Sequence, residues 1–302
     1  GNTYAQTTYV PDNRFEAALI NLGYDDVMDD YVLTTNISGI ISLDIVPASP
    51  YTKIYDLTGI EDFASLQTLL CNGNALTTLD LTQNTALIKV VCYENALTTL
   101  NISGLTNLDF VNCDLNQLTS LDVSTNVNLR TLKCFSNHLT SLDVSQNTAL
   151  IYLRCAANQL SALNAKNGHN TLLASFDALN NAALSCIDVD DASAANAGLA
   201  PYTNWKKDAT ATYSEDCAAL SIENETPAST ITFHPNPLTN YLRIDSKTFD
   251  ITKAEIYSVF GKKVKVVHSN FKHIKTQDLS SGLYLIKVYT PQGNLIKKLI
   301  KQ

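Results

Sequence analysis

A single spacing dominates the middle of this 302-residue chain, where the same residue types recur every 21 positions over five consecutive units. The aligned columns are Cys71, Cys92, Cys113, Cys134 and Cys155; Asn74, Asn95, Asn116, Asn137 and Asn158; and Leu66, Leu87, Leu108, Leu129 and Leu150. Two further leucine columns run from Leu76 to Leu160 and from Leu79 to Leu163. A repeat this short cannot bury its own apolar side, so the units must stack to form a continuous core.

Each unit reads L-x-x-L-x-C-x-x-N-x-L-x-x-L, as in the stretch that begins at Leu129. This pattern is similar to the leucine-rich-repeat consensus, with cysteine at an inward leucine position. Stacked coils would pair short strands into a parallel sheet, and each asparagine would bond the backbone where a coil turns. Irregular copies near Ile40 and Phe176 bring the expected total to about seven coils.

The chain ends in a different kind of module. Short strand-like runs separated by glycine and proline turns follow a polar linker that contains Pro227. The predicted fold class is an α/β solenoid with a parallel β-sheet on its concave face, plus a C-terminal all-β immunoglobulin-like sandwich. The predicted boundaries are 1–6 (disordered or a signal-peptide remnant), 7–40 (N-terminal helical cap), 41–190 (repeats), 191–220 (C-terminal cap), 221–230 (linker) and 231–302 (β-sandwich).

Both solenoid ends need covering. At the first end, apolar residues from Phe15 onward follow a helical period, Asn13 with Glu16 could form a capping box, and Gly23 could close the helix. At the other end, we expect Trp205 to pack on the last coil.

Charge is divided unevenly along the chain, whose net charge is -8. From Ile231 onward there are 12 basic and 4 acidic residues, whereas 9 basic and 25 acidic residues precede them. This split favours two modules with different surroundings. The basic end alternates with strand residues and forms no long basic run, so no nucleic-acid partner is expected. No apolar run is long enough to predict a transmembrane span.

The seven cysteines fall into two groups. Neighbouring parallel strands lie about 4.8 Å apart, which is wider than a disulfide favours, so we expect five buried free thiols in the repeat column. A metal-binding column is the alternative, but no histidine stands in register with it. Cys186 is out of phase with that column, and a Cys186–Cys217 disulfide that pins the cap is expected in an oxidising compartment.

The C-terminal module carries a specific set of motifs. They are Phe233–Pro237, Ala254–Lys262, Asp278–Tyr284 and the basic end Lys297–Lys301, with Pro235, Asn236, Pro237, Gly261, Gly282 and Tyr284 as the motif residues. The set resembles a type A sorting domain of the type IX secretion system. The resemblance implies handling by the secretion machinery, export through the outer membrane of a Gram-negative bacterium, removal of this domain and attachment of the remainder to surface lipopolysaccharide. The alternative that strand alternation leaves open is a carbohydrate-binding or immunoglobulin-like module.

Residues 7–217 as a whole resemble internalin-like repeat proteins of bacterial surfaces. Their caps, beginning at Val10-Pro-Asp-Asn-Arg-Phe-Glu and ending in the segment from Cys186 to Cys217, look like those of Bacteroidetes members. The resemblance implies the solenoid fold, and it leaves the ligand open because such solenoids bind very different partners.

Catalytic constellations are missing from the sequence. The five histidines are scattered, and no nucleophile elbow, zinc-binding histidine pair, P-loop or dinucleotide fingerprint occurs, so we expect no enzyme, no cofactor and no metal. Aspartates at 80, 122 and 143 are each followed by Thr or Ser two residues on and Asn four residues on. Calcium binding is one interpretation of these columns, and capping of turns is the interpretation we favour.

The side chains that flank the inward leucine and cysteine of each repeat strand must point outward. Among them are four aromatic rings, expected to be exposed, and three cations, types that are enriched in binding hot spots. They are Lys89, Tyr93, Phe110, Lys133, Phe135, Tyr152 and Arg154. The predicted function is surface-displayed binding or adhesion, through this face, to an extracellular protein or glycan. A structural spacer with no specific ligand is the alternative.

Overall fold

The computed structural model describes residues 5–217, 231–246, 250–258, 262–291 and 293–302. The chain divides into two compact units, with the boundary between Ala218 and Ala219. The sequence-based linker at 221–230 lies outside the described residues, as do residues 1–4 of the expected N-terminal remnant and Gly261 of the sorting motif.

The N-terminal cap combines a small sheet with two helices. Strand β1 (Thr7–Tyr9) pairs antiparallel with β2 (Tyr31–Leu33), around helices α1 (Asn13–Asn21) and α2 (Thr34–Ile37). The predicted capping box is wrong. Asp12 caps α1 by accepting the N–H groups of Arg14 and Phe15, while the Glu16 carboxylate accepts the N–H groups of Asp29 and Asp30 at 2.7 Å. The box fails because Glu16 turns inward to fix the chain that leads into β2.

Gly23 stands just beyond α1 with a φ of 78°, a left-handed conformation that favours glycine. Its N–H donates to the carbonyl of Ile20, which ends the helix. The predicted closing role of Gly23 therefore agrees with the backbone.

Two rows of short strands build the solenoid, one on each side of every coil. In chain order they are β3 (Ser42–Asp44), β4 (Thr68–Leu70), β5 (Thr78–Asp80), β6 (Lys89–Val91), β7 (Thr99–Asn101), β8 (Phe110–Asn112), β9 (Thr131–Lys133), β10 (Ser141–Asp143), β11 (Tyr152–Arg154), β12 (Ala162–Asn164), β13 (Ser175–Ala178), β14 (Cys186–Asp188), β15 (Lys206–Lys207) and β16 (Thr212–Ser214). Short 3-10 turns occur at Pro50–Thr52, Ile60–Asp62, Asn170–Leu172 and Tyr202–Asn204.

The main sheet has eight parallel strands in the order β15-β13-β11-β9-β8-β6-β4-β3. Its partners stand one repeat apart through the regular coils, as with Leu132 and Leu153. The return side carries two smaller parallel sheets, β5-β7 and β10-β12-β14-β16. The solenoid is therefore confirmed. Both sides of its coils are strand, and the α-helices of the described residues lie in the caps, where α3 (Ala192–Asn196) is the third.

The core between the two rows is the leucine and cysteine columns. The five repeat cysteines are free and fully buried. Burial raises the pKa of every one of these thiols, to about 12 for Cys71, so they remain protonated and act as small apolar side chains.

Cys186 and Cys217 form a disulfide that closes the C-terminal cap. Next to it, the Trp205 ring stacks on Phe176 with centroids 4.3 Å apart, and its Nε1 donates to the carbonyl of Leu173 at 3.1 Å. The last coil is covered by this aromatic layer, as expected for Trp205.

The C-terminal unit is all β. Its strands are β17 (Ile231–His234), β18 (Tyr241–Ser246), β19 (Lys253–Ser258), β20 (Lys263–Val267), β21 (Ile274–Lys275), β22 (Gly282–Thr290) and β23 (Gly293–Lys301). They form sheets β17-β18-β21 and β20-β19-β22-β23, with antiparallel pairing. Leu242, Ile256 and Ile286 are among the buried residues of their shared core. The predicted all-β tail is confirmed.

Candidate functional site

The strand face is the outward side of the eight-stranded sheet. It exists because alternate residues of each strand point to opposite sides, and the inward positions hold the leucine and cysteine columns. Parallel pairing then sets side chains one repeat apart next to each other: Lys89 opposes Phe110, and Lys133 opposes Arg154. The sequence-predicted neighbourhood of Lys133 and Arg154 is thus present in the strand register.

Cations cover most of the aromatic rings on the strand face. The nitrogen Nζ of Lys89 lies 5.3 Å from the Phe110 ring centroid, and that of Lys133 lies 5.8 Å from the same centroid. Lys133 also lies 5.3 Å from the centroid of Tyr152. The Arg154 guanidinium carbon is 4.0 Å from the centroid of Phe135. These contacts are within the range of cation–π attraction.

The expectation that these rings are exposed therefore needs correction. Tyr93, Phe110, Phe135 and Tyr152 are all half-buried, and cation side chains lie across the last three. Within the described part of the chain no cation lies over Tyr93, which stands apart from the ring–cation contacts.

Asp114 is the residue that sequence reasoning missed. It stands in an outward column, yet it is only 7% exposed. Its Oδ1 accepts the backbone N–H of Phe135 at 2.7 Å, and its Oδ2 accepts from Nη1 of Arg154 at 3.3 Å. Burial raises the pKa of this carboxyl group, an effect opposed by the Phe135 N–H and by the charges of Arg154 and Lys133.

The signal that could have found Asp114 is its sequence distance from Arg154. The two residues are 40 positions apart, nearly two repeats, so their coils are separated by a single coil. The long Arg154 side chain can extend across that intervening coil. Phe135 belongs to the intervening coil, and its ring lies beneath the guanidinium.

Basic residues are scarce in this part of the chain, which makes their placement informative. Only nine lysines and arginines precede Ile231, and three of them are Lys89, Lys133 and Arg154 on the strand face. Neither Lys89 nor Lys133 forms an ion pair within the ranges that the structure describes. A positive patch on an otherwise acidic module attracts anionic groups.

The aspartate columns on the return side cap turns. Asp80, Asp122 and Asp143 each accept the N–H of the residue two positions on, at 2.8–2.9 Å. The Thr82 N–H lowers the pKa of Asp80, and hydrogen bonds from the side chain and the N–H of Ser124 lower that of Asp122. Among the described residues no group of three or more His, Cys, Asp or Glu is arranged to hold a metal ion.

The sorting-motif residues tie the start of the C-terminal unit to its last strand. Asn236 accepts the N–H of Ile300 at 2.9 Å and donates to the carbonyl of Lys298 at 3.1 Å. Pro235 and Pro237 flank Asn236 and follow cis peptide bonds. Gly282 begins β22 with a φ of 149°, and the Tyr284 hydroxyl donates to the carbonyl of Ser280 at 2.9 Å. The motif therefore joins both ends of the unit.

One buried acid organises the outer side of the larger C-terminal sheet. Glu255 is 4% exposed and accepts hydrogen bonds from the hydroxyls of Tyr257 and Tyr289 and from Nζ of Lys263. The Lys253 ammonium lies 3.4 Å from the same carboxylate. The Lys263 and tyrosine hydrogen bonds hold the pKa of Glu255 well below its usual range.

Two families match separate parts of the chain. Residues 232–302 match the secretion system C-terminal sorting domain, and residues 50–147 match the leucine-rich-repeat domain of the endo-beta-N-acetylglucosaminidase EndoS. In addition, no helix among the described residues has the length and apolar character needed to cross a membrane.

The repeat region is similar to internalins. The chain is 40% identical over 85 residues to internalin J of Listeria monocytogenes, which is 28% of this chain and 9% of that protein. A solved structure, described as the functional domain of InlJ from Listeria monocytogenes with a cysteine ladder, has 29% identity and a TM-score of 0.50. That similarity covers 67% of this chain and 52% of the solved one, so this chain spans about half of the structure and a small part of the full internalin J sequence.

Proposed function

This chain is an internalin-like leucine-rich-repeat protein that ends in a type IX secretion sorting domain, and from that premise we propose that it works as a surface-displayed binding protein. Its ligand is an extracellular protein or glycan, held on the strand face. The sorting domain is the part that the secretion machinery handles. Binding without catalysis is the activity we assign to the repeats.

The observation that carries the proposal is the ring–cation cluster of the strand face. Three cations from a module with a large acidic excess stand together on one sheet, and two of them lack a carboxylate partner within the described ranges. Adjacent like charges cost stability in a sheet. A repeat that served only as a spacer would have no use for adjacent positive charges, whereas a binding surface can use them to hold a ligand.

A glycan and protein array probed with the purified full chain tests the binding. Replacing Phe135 and Tyr152 together by serine should abolish capture of any ligand found on the array. The change should lower the melting temperature only slightly, because the ring–cation contacts contribute about 0.5–1 kcal/mol each at such sites. Tyr51→Ser is a matched control, since Tyr51 is 86% exposed and lies outside the strand face.

Two results would count against the proposal. A wild-type chain that captures nothing on the array would leave the spacer role in its place. A ligand that is captured equally by the double serine variant would move the site to the return side or to a cap.

The export route is the second part of the proposal. We expect passage to the outer surface of a Gram-negative bacterium and proteolytic release of the C-terminal unit between Leu220 and Thr230, a segment outside the described residues. Mass spectrometry of surface-exposed protein, made by a bacterium that carries this secretion system, tests it. Mature protein that still ends in Lys301-Gln302 would contradict the release.

A further inference from the structure

We propose that Arg154, held in place by Asp114 and flanked by Lys133, is a carboxylate-recognition site for an acidic segment of a partner protein. The inference rests on the proposed function and names the chemistry of its ligand. It follows from how the guanidinium is fixed and from which of its neighbours remain unpaired.

Two contacts fix the Arg154 guanidinium, and a hydrogen bond between Asp114 and Phe135 links the two partners. Its Nη1 lies 3.3 Å from Oδ2 of Asp114, and its central carbon Cζ lies 4.0 Å from the ring centroid of Phe135. The other carboxylate oxygen of Asp114 accepts the backbone N–H of Phe135. Phe135 therefore positions both the carboxylate and the ring that hold the arginine.

Among the residues that the structure describes, the guanidinium keeps N–H donors free for a ligand. An arginine carries about five N–H donors in a planar fork, and Asp114 engages Nη1 alone. The Arg154 side chain remains 34% exposed, whereas that of Asp114 is 10% exposed. A stacked and anchored guanidinium with a free edge is suited to bidentate binding of a second carboxylate.

The lysines add positive charge beside that edge. Lys133 is the register neighbour of Arg154, and it has rings under its ammonium group but no ion pair within the described residues. Lys89 stands over the same Phe110 ring and is likewise unpaired there. Lys133 and Arg154 are register neighbours in one outward column, and Lys89 stands in the other outward column on the far side of β8, so the site suits a ligand with more than one carboxylate.

The rings favour a peptide over an acidic glycan. Sugars that bind aromatic side chains stack on an open ring face, and here cations lie over three of the four rings of the strand face, those of Phe110, Phe135 and Tyr152. An extended peptide places alternate side chains about 7 Å apart on one side. Neighbouring strands of the sheet are about 4.8 Å apart, so long cationic side chains from nearby strands can reach successive carboxylates.

The Asp114→Asn variant distinguishes a positioned guanidinium from attraction by net charge. Replacing Asp114 by asparagine makes the strand face more positive but removes the anchor of Arg154. Attraction by net charge alone would make an acidic ligand bind more tightly to the variant. A positioned guanidinium predicts the reverse. Burial disfavours the ionised form of Asp114, so asparagine, which can still accept the Phe135 N–H, should leave the fold as stable as before.

Fluorescence anisotropy on the full chain tests the inference, with a labelled short glutamate–glycine peptide as the probe. The same peptide with glutamine in place of glutamate is the neutral comparison, and a galacturonate trimer is the glycan competitor. Arg154→Lys, which keeps the charge and loses the fork, should weaken glutamate-peptide binding by about tenfold. Asp114→Asn should weaken it as well. Arg130→Gln is the control for net charge, because it removes one positive charge at a residue that precedes β9 and pairs with Asp109, and it should leave binding unchanged.

Each other outcome overturns the inference in an identifiable way. Tighter binding by Asp114→Asn, at an unchanged melting temperature, would mean that net charge alone attracts the peptide. Equal loss in Arg130→Gln would mean the same. Competition by the galacturonate trimer at lower concentrations than the peptide would assign the site to an acidic glycan. No binding of the glutamate peptide, with capture of another array ligand that depends on Phe135 and Tyr152, would refute the carboxylate chemistry and leave the proposed function standing.

Discussion

Two asparagine columns cap the coils in different ways, and the difference can be measured. In the first, Oδ1 of Asn137 accepts the buried N–H of Leu118 at 3.0 Å. In the second, which contains Asn84, Asn126 and Asn147, the Oδ1 atoms are buried and have no partner among the described residues. We therefore compare Asn137→Ala with Asn147→Ala, one from each column in the same coil.

The backbone partners of each amide set the expected magnitude. The carbonyl of Cys113, which Asn137 contacts, also accepts from Asn116, so it keeps a partner after the change. The Leu118 N–H is left without one, which costs about 1–3 kcal/mol. The carbonyls that Asn147 contacts, those of Val123 and Asn126, also accept backbone N–H groups.

Asn147→Ala therefore leaves no backbone group unpaired, and it removes a buried carbonyl oxygen that had no partner. Because the two substitutions delete the same atoms from buried sites, their cavity costs are similar and cancel in the comparison. Asn137→Ala should lower the free energy of unfolding by about 1–3 kcal/mol more than Asn147→Ala. Leu105, which occupies the second column in another coil, is a precedent for an apolar residue there.

Urea unfolding of the full chain, followed by circular dichroism, gives both values if the two variants share the wild-type slope with denaturant. The pair Asn116 and Asn126 repeats the comparison elsewhere in the solenoid, since Oδ1 of Asn116 accepts the N–H of Leu97. Equal losses in the two columns, or a larger loss at Asn147, would refute the reasoning that an unpaired N–H sets the cost.

Three further predictions concern the cysteines and the C-terminal unit. The five repeat thiols should not react with a thiol reagent until the chain unfolds, because burial raises their pKa; titration with and without denaturant checks this, and mass spectrometry should find no disulfide among them. Cys186→Ser should lower the free energy of unfolding by about 3–4 kcal/mol, as expected for a loop of this length, measured against the wild type under oxidising conditions. Below the ordinary pKa of glutamate, near 4.5, the wild-type C-terminal unit should lose stability as pH falls toward the depressed pKa of Glu255. Glu255→Gln should be less stable than the wild type at neutral pH and should lack this pH dependence. Melting temperatures measured over a pH series check both expectations.

The framework was accessible from the sequence because every coil must solve the same packing problem. Inward leucines and cysteines must be apolar and of nearly constant size, and the asparagine amides must reach backbone atoms one coil away. Such demands repeat at a fixed interval, so they are visible as columns. The strand register, the buried thiols and the aromatic cover at Trp205 all follow from that regularity.

The parts that the sequence did not reveal depend on contacts between positions with no fixed interval. Asp114 stands in an outward column, and its burial results from Arg154 and Phe135 lying across it. Glu16 does not form the expected capping box, because its carboxylate accepts the backbone N–H groups of Asp29 and Asp30. In both cases a side chain binds a partner that is distant in the sequence. A local sequence pattern predicts only contacts between residues that are near one another in the sequence.

The framework residues and the residues of the proposed binding face occupy different columns of the same repeat, and this separation explains why the strand face can hold adjacent like charges. The leucine, cysteine and asparagine columns recur almost unchanged, whereas the outward columns change residue type from coil to coil. A substitution at Phe135 or Tyr152 therefore leaves the framework hydrogen bonds intact, and its cost comes from the ring–cation contacts and from the apolar area of a half-buried ring. Asp114 illustrates the same separation. Burial raises the pKa of its carboxyl group, so the ionised form does not favour folding, but the carboxylate orients Arg154. Under the function that we propose, substitution of a few outward residues would change the ligand while the coils beneath the strand face stay the same.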